Sequence, residues 1–174
     1  MIKRVKGMDP EFQEYAAKVE SEINRGLSSV CVLSIINEYG EQGVYGYQIS
    51  KDLEERTNQM LIIEEGTLYP LLRNLERDGI IKSYKEIVQG RRRKYYSLTK
   101  YGKRVFNYLA GFYSKLTEAI GSLFDVKVDL QSDRYIFCPM CANKIDLSSG
   151  IQKFCDTCGY HLENELISRG INNE

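Results

Sequence analysis

Only one histidine, His161, is present in 174 residues. A catalytic zinc site keeps one coordination position open for water and usually draws on histidine or carboxylate ligands. Here four of the five cysteines form two Cys-x-x-Cys pairs that would fill every position, so a zinc hydrolase or deaminase is excluded and no catalytic residue is predicted. No apolar run approaches the roughly 20 residues of a membrane span, and the basic stretch Met1 to Lys6 is not followed by a signal-peptide apolar core. The expected location is the cytoplasm, with no membrane partner. Net charge is absent too, since 24 basic side chains balance 24 acidic ones.

A neutral chain argues against nucleic acid, because DNA-binding domains tend to be basic, but the charge is segregated. Residues 9–80 carry 14 acidic and 6 basic side chains, net −8, whereas residues 81–104 carry 9 basic and 1 acidic, net +8. A basic stripe can therefore face phosphates while acidic surface disfavours wrong docking poses.

The stretch from Glu64 to Lys103 organises the chain. Leu68, Leu71, Leu72 and Leu75 recur at helical spacing and make one apolar face, which turns Thr67, Tyr69, Arg73, Asn74 and Arg77 elsewhere. Proline fits a first helical turn, where N–H groups lack intrahelical partners, so Pro70 predicts a helix beginning near Glu65 to Thr67; Gly79 stops it. Ile80 to Ile87 and Lys94 to Leu98 read as strands, with the tight turn at Gly90 and with Arg91, Arg92 and Arg93 at or beside the hairpin tip. Charge runs are ordinarily solvated faces, but three adjacent arginines at a turn, next to Lys94 and inside a segment of net +8, favour phosphate or minor-groove contact. Helix and basic hairpin together suit a winged helix-turn-helix on double-stranded DNA, with the helix in the major groove and the wing on phosphates.

These residues resemble the PadR family of transcriptional regulators. The resemblance is carried by Tyr45-Gly46-Tyr47-Gln48-Ile49, by Gly66-Thr67-Leu68-Tyr69-Pro70-Leu71-Leu72, by Leu75-Glu76 and Gly79-Ile80-Ile81, and by Gly90 with Arg93-Lys94-Tyr95-Tyr96-Ser97-Leu98-Thr99 and Gly102. It covers roughly residues 27 to 124. It implies a dimeric winged-helix DNA binder, often a repressor whose DNA affinity falls when a small molecule binds. Nothing in the family pattern implies the cysteine-rich tail.

Elsewhere the chain reads as helices. Asp9-Pro10 is a helix start, and Phe12, Tyr15, Ala16, Val19 and Ile23 give an amphipathic face expected to end near Gly26, for packing on the core or on a partner subunit. Leu27 to Tyr39 reads as a second, buried helix holding Cys31 as a small core residue. Val44 to Arg56 reads as the helix that crosses the DNA backbone, where Tyr45 and Lys51 are either phosphate donors or solvated surface. Met60 to Ile63 is a candidate strand pairing with the wing. From the N-cap Thr99 a helix is expected to run to about Phe124, with Val105, Leu109, Phe112, Leu116, Ile120 and Leu123 forming a near-heptad stripe that a second subunit would cover. Phe106, Tyr108 and Tyr113 flank it, either as interface packing or as the lining of a flat effector pocket.

After a polar linker come Cys138-Pro-Met-Cys141 and Cys155-Asp-Thr-Cys158, separated by 13 residues and each following an aromatic-rich strand candidate. This is the form of a zinc ribbon. Cys138, Cys141, Cys155 and Cys158 would hold one structural Zn²⁺ per chain; disulfides or a thiol redox centre are the alternatives. Net charge over residues 133–174 is −2, which favours a protein partner for the ribbon over DNA.

The expected fold class is mainly α with a small β-hairpin. The expected organisation is an N-terminal helix (1–26), a winged helix-turn-helix (27–98), a dimerisation helix (99–124), a linker (125–132), a zinc ribbon (133–163) and a tail (164–174). The expected function is a homodimeric regulator binding operator DNA. Winged helix plus ribbon also looks like archaeal transcription factor E, a basal factor that contacts RNA polymerase; the arginine wing argues against that alternative.

Overall fold

The chain divides into two units, Met1–Lys103 and Arg104–Glu174. The computed structural model describes residues 9–88, 90–127, 135–141 and 143–168. The leader before Asp9, most of the expected linker and the end of the expected tail lie outside the described residues.

In the first unit, Asp9 caps helix α1 (Pro10–Glu38) by accepting from the Glu11 N–H at 2.9 Å, with Pro10 at the first helical position. The helix does not stop at Gly26, so the two helices expected there are one. A mid-helix glycine costs only about 1 kcal/mol, and the buried half beyond it, Val30, Val32, Leu33, Ile35 and Ile36, outweighs that penalty. Cys31 within this half is half-buried, and burial pushes its thiol up.

A three-stranded antiparallel sheet is ordered β1-β3-β2, from β1 (Val44–Tyr45), β2 (Ile81–Val88) and β3 (Arg91–Leu98). Gly90, at φ +73°, supplies the left-handed turn between β2 and β3. The small third strand is therefore Val44–Tyr45, paired with Tyr96 and Tyr95; Met60 to Ile63 is not a strand. Asn58 and Gln59 adopt φ of 48° and 65°, and the chain there bonds locally, Gln59 N–H to Glu54 O and Leu61 N–H to Thr57 Oγ1. Leu61 and Ile63 of this connection are nevertheless buried. The helix expected to start at Val44 begins at Gly46 as α2 (Gly46–Arg56).

Helix α3 (Glu65–Arg77) buries Leu68 and Leu72, and past it the Ile80 N–H donates to Leu75 O. Pro70 sits inside the helix, beyond the first turn where it was expected. The carbonyl its ring leaves without a donor belongs to Gly66, which is exposed, so water can satisfy it.

Thr99 caps α4 (Lys100–Gly121): its hydroxyl accepts from the Gly102 N–H at 2.8 Å and donates to Gly79 O at 2.7 Å. Here α4 presses on the chain at the end of α3 so closely that a Cβ on Gly102 would lie 1.8 Å from Ile80 O. Gly102→Ala is expected to destabilise the winged helix by about 2–3 kcal/mol, because a backbone carbonyl cannot rotate away as a side chain would; chemical denaturation would measure it.

The second unit carries the rest of α4, then a 3₁₀ turn (Ser122–Phe124), the hairpin of β4 (Tyr135–Phe137) and β5 (Lys144–Asp146), and α5 (Glu163–Ser168). Its core joins Ile136 and Ile145 to Leu162 and Leu166 beside Cys138 and Cys155. Leu166 lies on α5, so the core around these cysteines draws on a residue beyond 163. Contacts between this hairpin region and α4 include Arg104, which donates to Asp156 O at 3.3 Å, and the Lys115 ammonium, which stands 5.5 Å over the Phe137 ring.

A candidate nucleic-acid interface and a candidate metal centre

On α3 the leucine face is inward and its opposite is open: Thr67, Tyr69, Arg73, Asn74 and Arg77 are all exposed. Tyr69 is also anchored, since its ring lies where a Cβ on Gly46 would come within 2.8 Å of Cε1. Arg77 pairs with its neighbour Asp78 at 3.3 Å, a surface contact that costs little to exchange.

The wing cations divide into two kinds. Arg91 and Arg92 lie opposite Val88 and Ile87 beside the turn at the tip of the hairpin, exposed and without an ion pair among the described residues. Lys94 is engaged: its ammonium meets Glu76 Oε2 at 2.7 Å, and the Ser83 hydroxyl donates to the other oxygen of the same carboxylate. The Lys94 hydrogen bond, then that of Ser83, hold the Glu76 carboxyl below its usual range. Glu76 on α3 is thus tied to both wing strands, which fixes the wing on the helix. Sequence reasoning missed this brace because its members lie 7 and 18 residues apart.

Two more expected contacts sit on or beside α2. Lys51 is exposed and only loosely paired with Glu55 at 3.5 Å, leaving it available. Tyr45 is half-buried on β1; its hydroxyl faces Gln48 at 3.2 Å and its ring lies under Arg93, 4.5 Å from the guanidinium carbon.

The four tail cysteines converge, with all ligand atoms within 4.8 Å of one another. In the first knuckle the Cys138 N–H donates to Asn143 O; in the second, Cys155 N–H donates to Tyr160 O and Gly159 N–H returns to Cys155 O. Asn143, itself buried, donates to Asp156 Oδ1 at 2.9 Å and staples one knuckle to the other. Sγ of Cys138 and Cys158 are 3.6 Å apart, and those of Cys141 and Cys155 3.7 Å. A disulfide needs about 2.05 Å, whereas sulfurs about 2.3 Å from a tetrahedral ion stand about 3.8 Å apart. The donor set therefore fits a metal ion and could hold one. Burial pushes the Cys138 and Cys141 thiols up, while a backbone hydrogen bond from Tyr160 pulls exposed Cys158 down. His161 stands apart, its ring 4.9 Å from that of Phe154.

On α4 and the 3₁₀ turn after it, Val105 and Leu109 are half-buried, whereas Phe112, Leu116, Ile120 and Leu123 are exposed, at 45%, 40%, 39% and 77%. These side chains leave an apolar row open to solvent along one chain. Among the described residues no helix is long and apolar enough to cross a membrane.

Residues 32–108 match the transcriptional regulator PadR-like family. A PadR family transcriptional regulator from Eggerthella lenta is 28% identical, with 67% of this chain and 98% of that one covered, at a TM-score of 0.56. A transcriptional regulator from Clostridium thermocellum is 31% identical over 58% of this chain and 96% of its own, at a TM-score of 0.52. A protein of Lysinibacillus sphaericus is 35% identical over 103 residues, 59% of this chain and 92% of its own. The family match ends before the first tail cysteine, and upstream of it every motif from Tyr45 to Gly102 falls inside the matched span: the chain belongs to the PadR-like family of transcriptional regulators.

Proposed function

We propose that the chain is a homodimeric regulator that binds operator DNA through α3 and the β2–β3 wing, and that its tail is a structural zinc ribbon. One observation carries the DNA reading: the exposed face of α3 presents Thr67, Tyr69, Arg73, Asn74 and Arg77 in the same unit as a hairpin ending in Arg91 and Arg92, which have no ion pair among the described residues. Arginine and asparagine on a helix suit the major-groove edges of guanine and adenine, and arginines on a turn suit phosphates. Dimerisation through α4 is supported by its open apolar row, and zinc by the sulfur spacing. The ribbon would offer its surface to a protein partner. The family resemblance favours repression relieved by a small molecule; exposed Tyr108, and Phe112 set edge-on to Tyr113 at 5.9 Å, would give a flat aromatic ligand a place on α4. A basal factor contacting polymerase gains no support from the Eggerthella lenta and Clostridium thermocellum proteins, which are described as transcriptional regulators.

Binding to promoter DNA from the gene's own locus, titrated against salt, tests the DNA reading. Arg91→Ala or Arg92→Ala is expected to weaken binding to every sequence and lower the salt slope by about one. Arg73→Ala or Asn74→Ala is expected to cost about 1–3 kcal/mol, mainly at the cognate site. Wing variants that leave the salt slope unchanged would refute the docking proposed.

A further inference from the structure

The third wing arginine differs from its neighbours. Arg93 is only half-exposed, and its cross-strand partner is Glu86, yet no ion pair joins them. Its guanidinium lies instead on the Tyr45 ring, 4.5 Å from the centroid. A guanidinium lying on an aromatic face keeps its N–H donors, which radiate from its edge, available for another acceptor.

What holds Tyr45 in place can be traced by donor and acceptor. Asp52 is buried and accepts the Tyr39 hydroxyl on one oxygen at 2.9 Å and the Gln48 amide on the other at 2.6 Å. A carboxylate only accepts, so Gln48 must turn its NH₂ towards Asp52 and its carbonyl outward; that carbonyl only accepts, so the Tyr45 hydroxyl must donate to it. The one phenolic proton is thereby spent inside the protein. Across the sheet, Tyr45 stands in register with Tyr95, which meets it edge-on at 5.8 Å and is itself stacked on Tyr84 at 5.3 Å. The ring is fixed from both sides.

We propose that Tyr45 is a positioning residue: with Gln48 and Asp52 it forms a platform that holds Arg93 extended for a DNA phosphate. Tyr45 would then not donate to phosphate itself, as its place in the sequence suggests, but act through Arg93. Arg91 and Arg92, with no such ring contact among the described residues, must be ordered on binding and lose side-chain entropy there; Arg93 arrives ordered. The inference rests on the DNA-binding reading above.

The test is a double-mutant cycle on the full chain, with binding to a cognate and to an unrelated duplex measured across a salt series. Arg93→Ala is expected to weaken both duplexes about equally and lower the salt slope by about one. Tyr45→Leu, with Arg93 intact, is expected to weaken both about three- to tenfold and lower the slope in the same direction. The double variant should be no weaker than Arg93→Ala within about twofold, the sign of one shared contact. Effects that multiply, or a Tyr45→Leu variant with the wild-type slope, would overturn the proposal. Should Tyr45→Leu not fold, Gln48→Met cuts the tie and leaves the ring; independence from Arg93→Ala there overturns the proposal equally. A wild type with no salt-dependent binding would sink the DNA reading itself, whereas steep wild-type binding untouched by Arg93→Ala would sink only this inference.

Discussion

Protein purified under reducing conditions is expected to carry one zinc ion per chain, and Cys138→Ser to lose that ion together with the fold of residues 135–168. The second unit's core rests on a few aliphatic side chains, chiefly Ile136, Ile145, Leu162 and Leu166, around two of the cysteines themselves, too little to hold a module of this size without a staple. Structural zinc contributes on the order of 10 kcal/mol or more in small modules, so one lost ligand removes the main support. Arg104 and Lys115 would then lose Asp156 and Phe137, and the damage would reach α4. The winged helix has its own core in Leu33, Ile36, Ile49, Leu68 and Leu72 and should stay folded. The pH dependence follows from the thiols. A free cysteine thiol titrates at about pH 8.5 and is protonated at neutral pH, so zinc must displace those protons, and protons are therefore products of binding. Zinc affinity should fall as pH falls, and the heat of binding should vary with the buffer's ionisation enthalpy. Metal analysis with chelator titration and near-ultraviolet circular dichroism decides the matter. A zinc-free protein with residues 135–168 still ordered would defeat the structural role and restore the redox alternative.

The elements that could be read from sequence were those specified locally. Leucines at helical spacing and Gly79 bound α3 to within a residue or two, Thr99 marked the start of α4, and Gly90 marked the turn of the wing. The Cys-x-x-Cys pairs announced a cluster that the structure does assemble. What escaped was decided at long range. Val44–Tyr45 forms a strand because Tyr95 and Tyr96 lie beside it, about fifty positions later in the chain, whereas the more apolar Met60–Ile63 has no strand to pair with. Gly26 looked like a helix end because local propensity says so, and burial of the following residues overrode it. Lys94 bonds to Glu76 and Tyr45 to Gln48, ties within the protein for two residues expected at the DNA, and no run of adjacent residues announces such a pairing.

Charged residues in place of Leu109 and Leu116 are expected to turn a dimer into monomers and to cost operator affinity far more than any single base-reading variant. Val105, Leu109, Phe112, Leu116, Ile120 and Leu123 recur every three or four positions along α4 and the turn after it, so they share one face. Each leucine contributes roughly 2 kcal/mol when covered, and a carboxylate in its place would be buried without a counter-charge. A two-fold interface repeats every change, so Leu109→Glu with Leu116→Glu introduces four like charges between the helices. Sedimentation would read the association, with wild type dimeric and the variant monomeric at micromolar concentration. A monomeric wild type would refute the interface. If the variant stays folded by circular dichroism, loss of the second half-site should lower operator affinity by about 10²–10⁴, the advantage that linking two binding modules confers. The salt slope should fall to about half as well, because one subunit brings only its own wing arginines to the phosphates. A variant that is monomeric yet binds operator with the wild-type slope would mean that a single winged helix makes every phosphate contact, and the apolar face of α4 would then need another occupant.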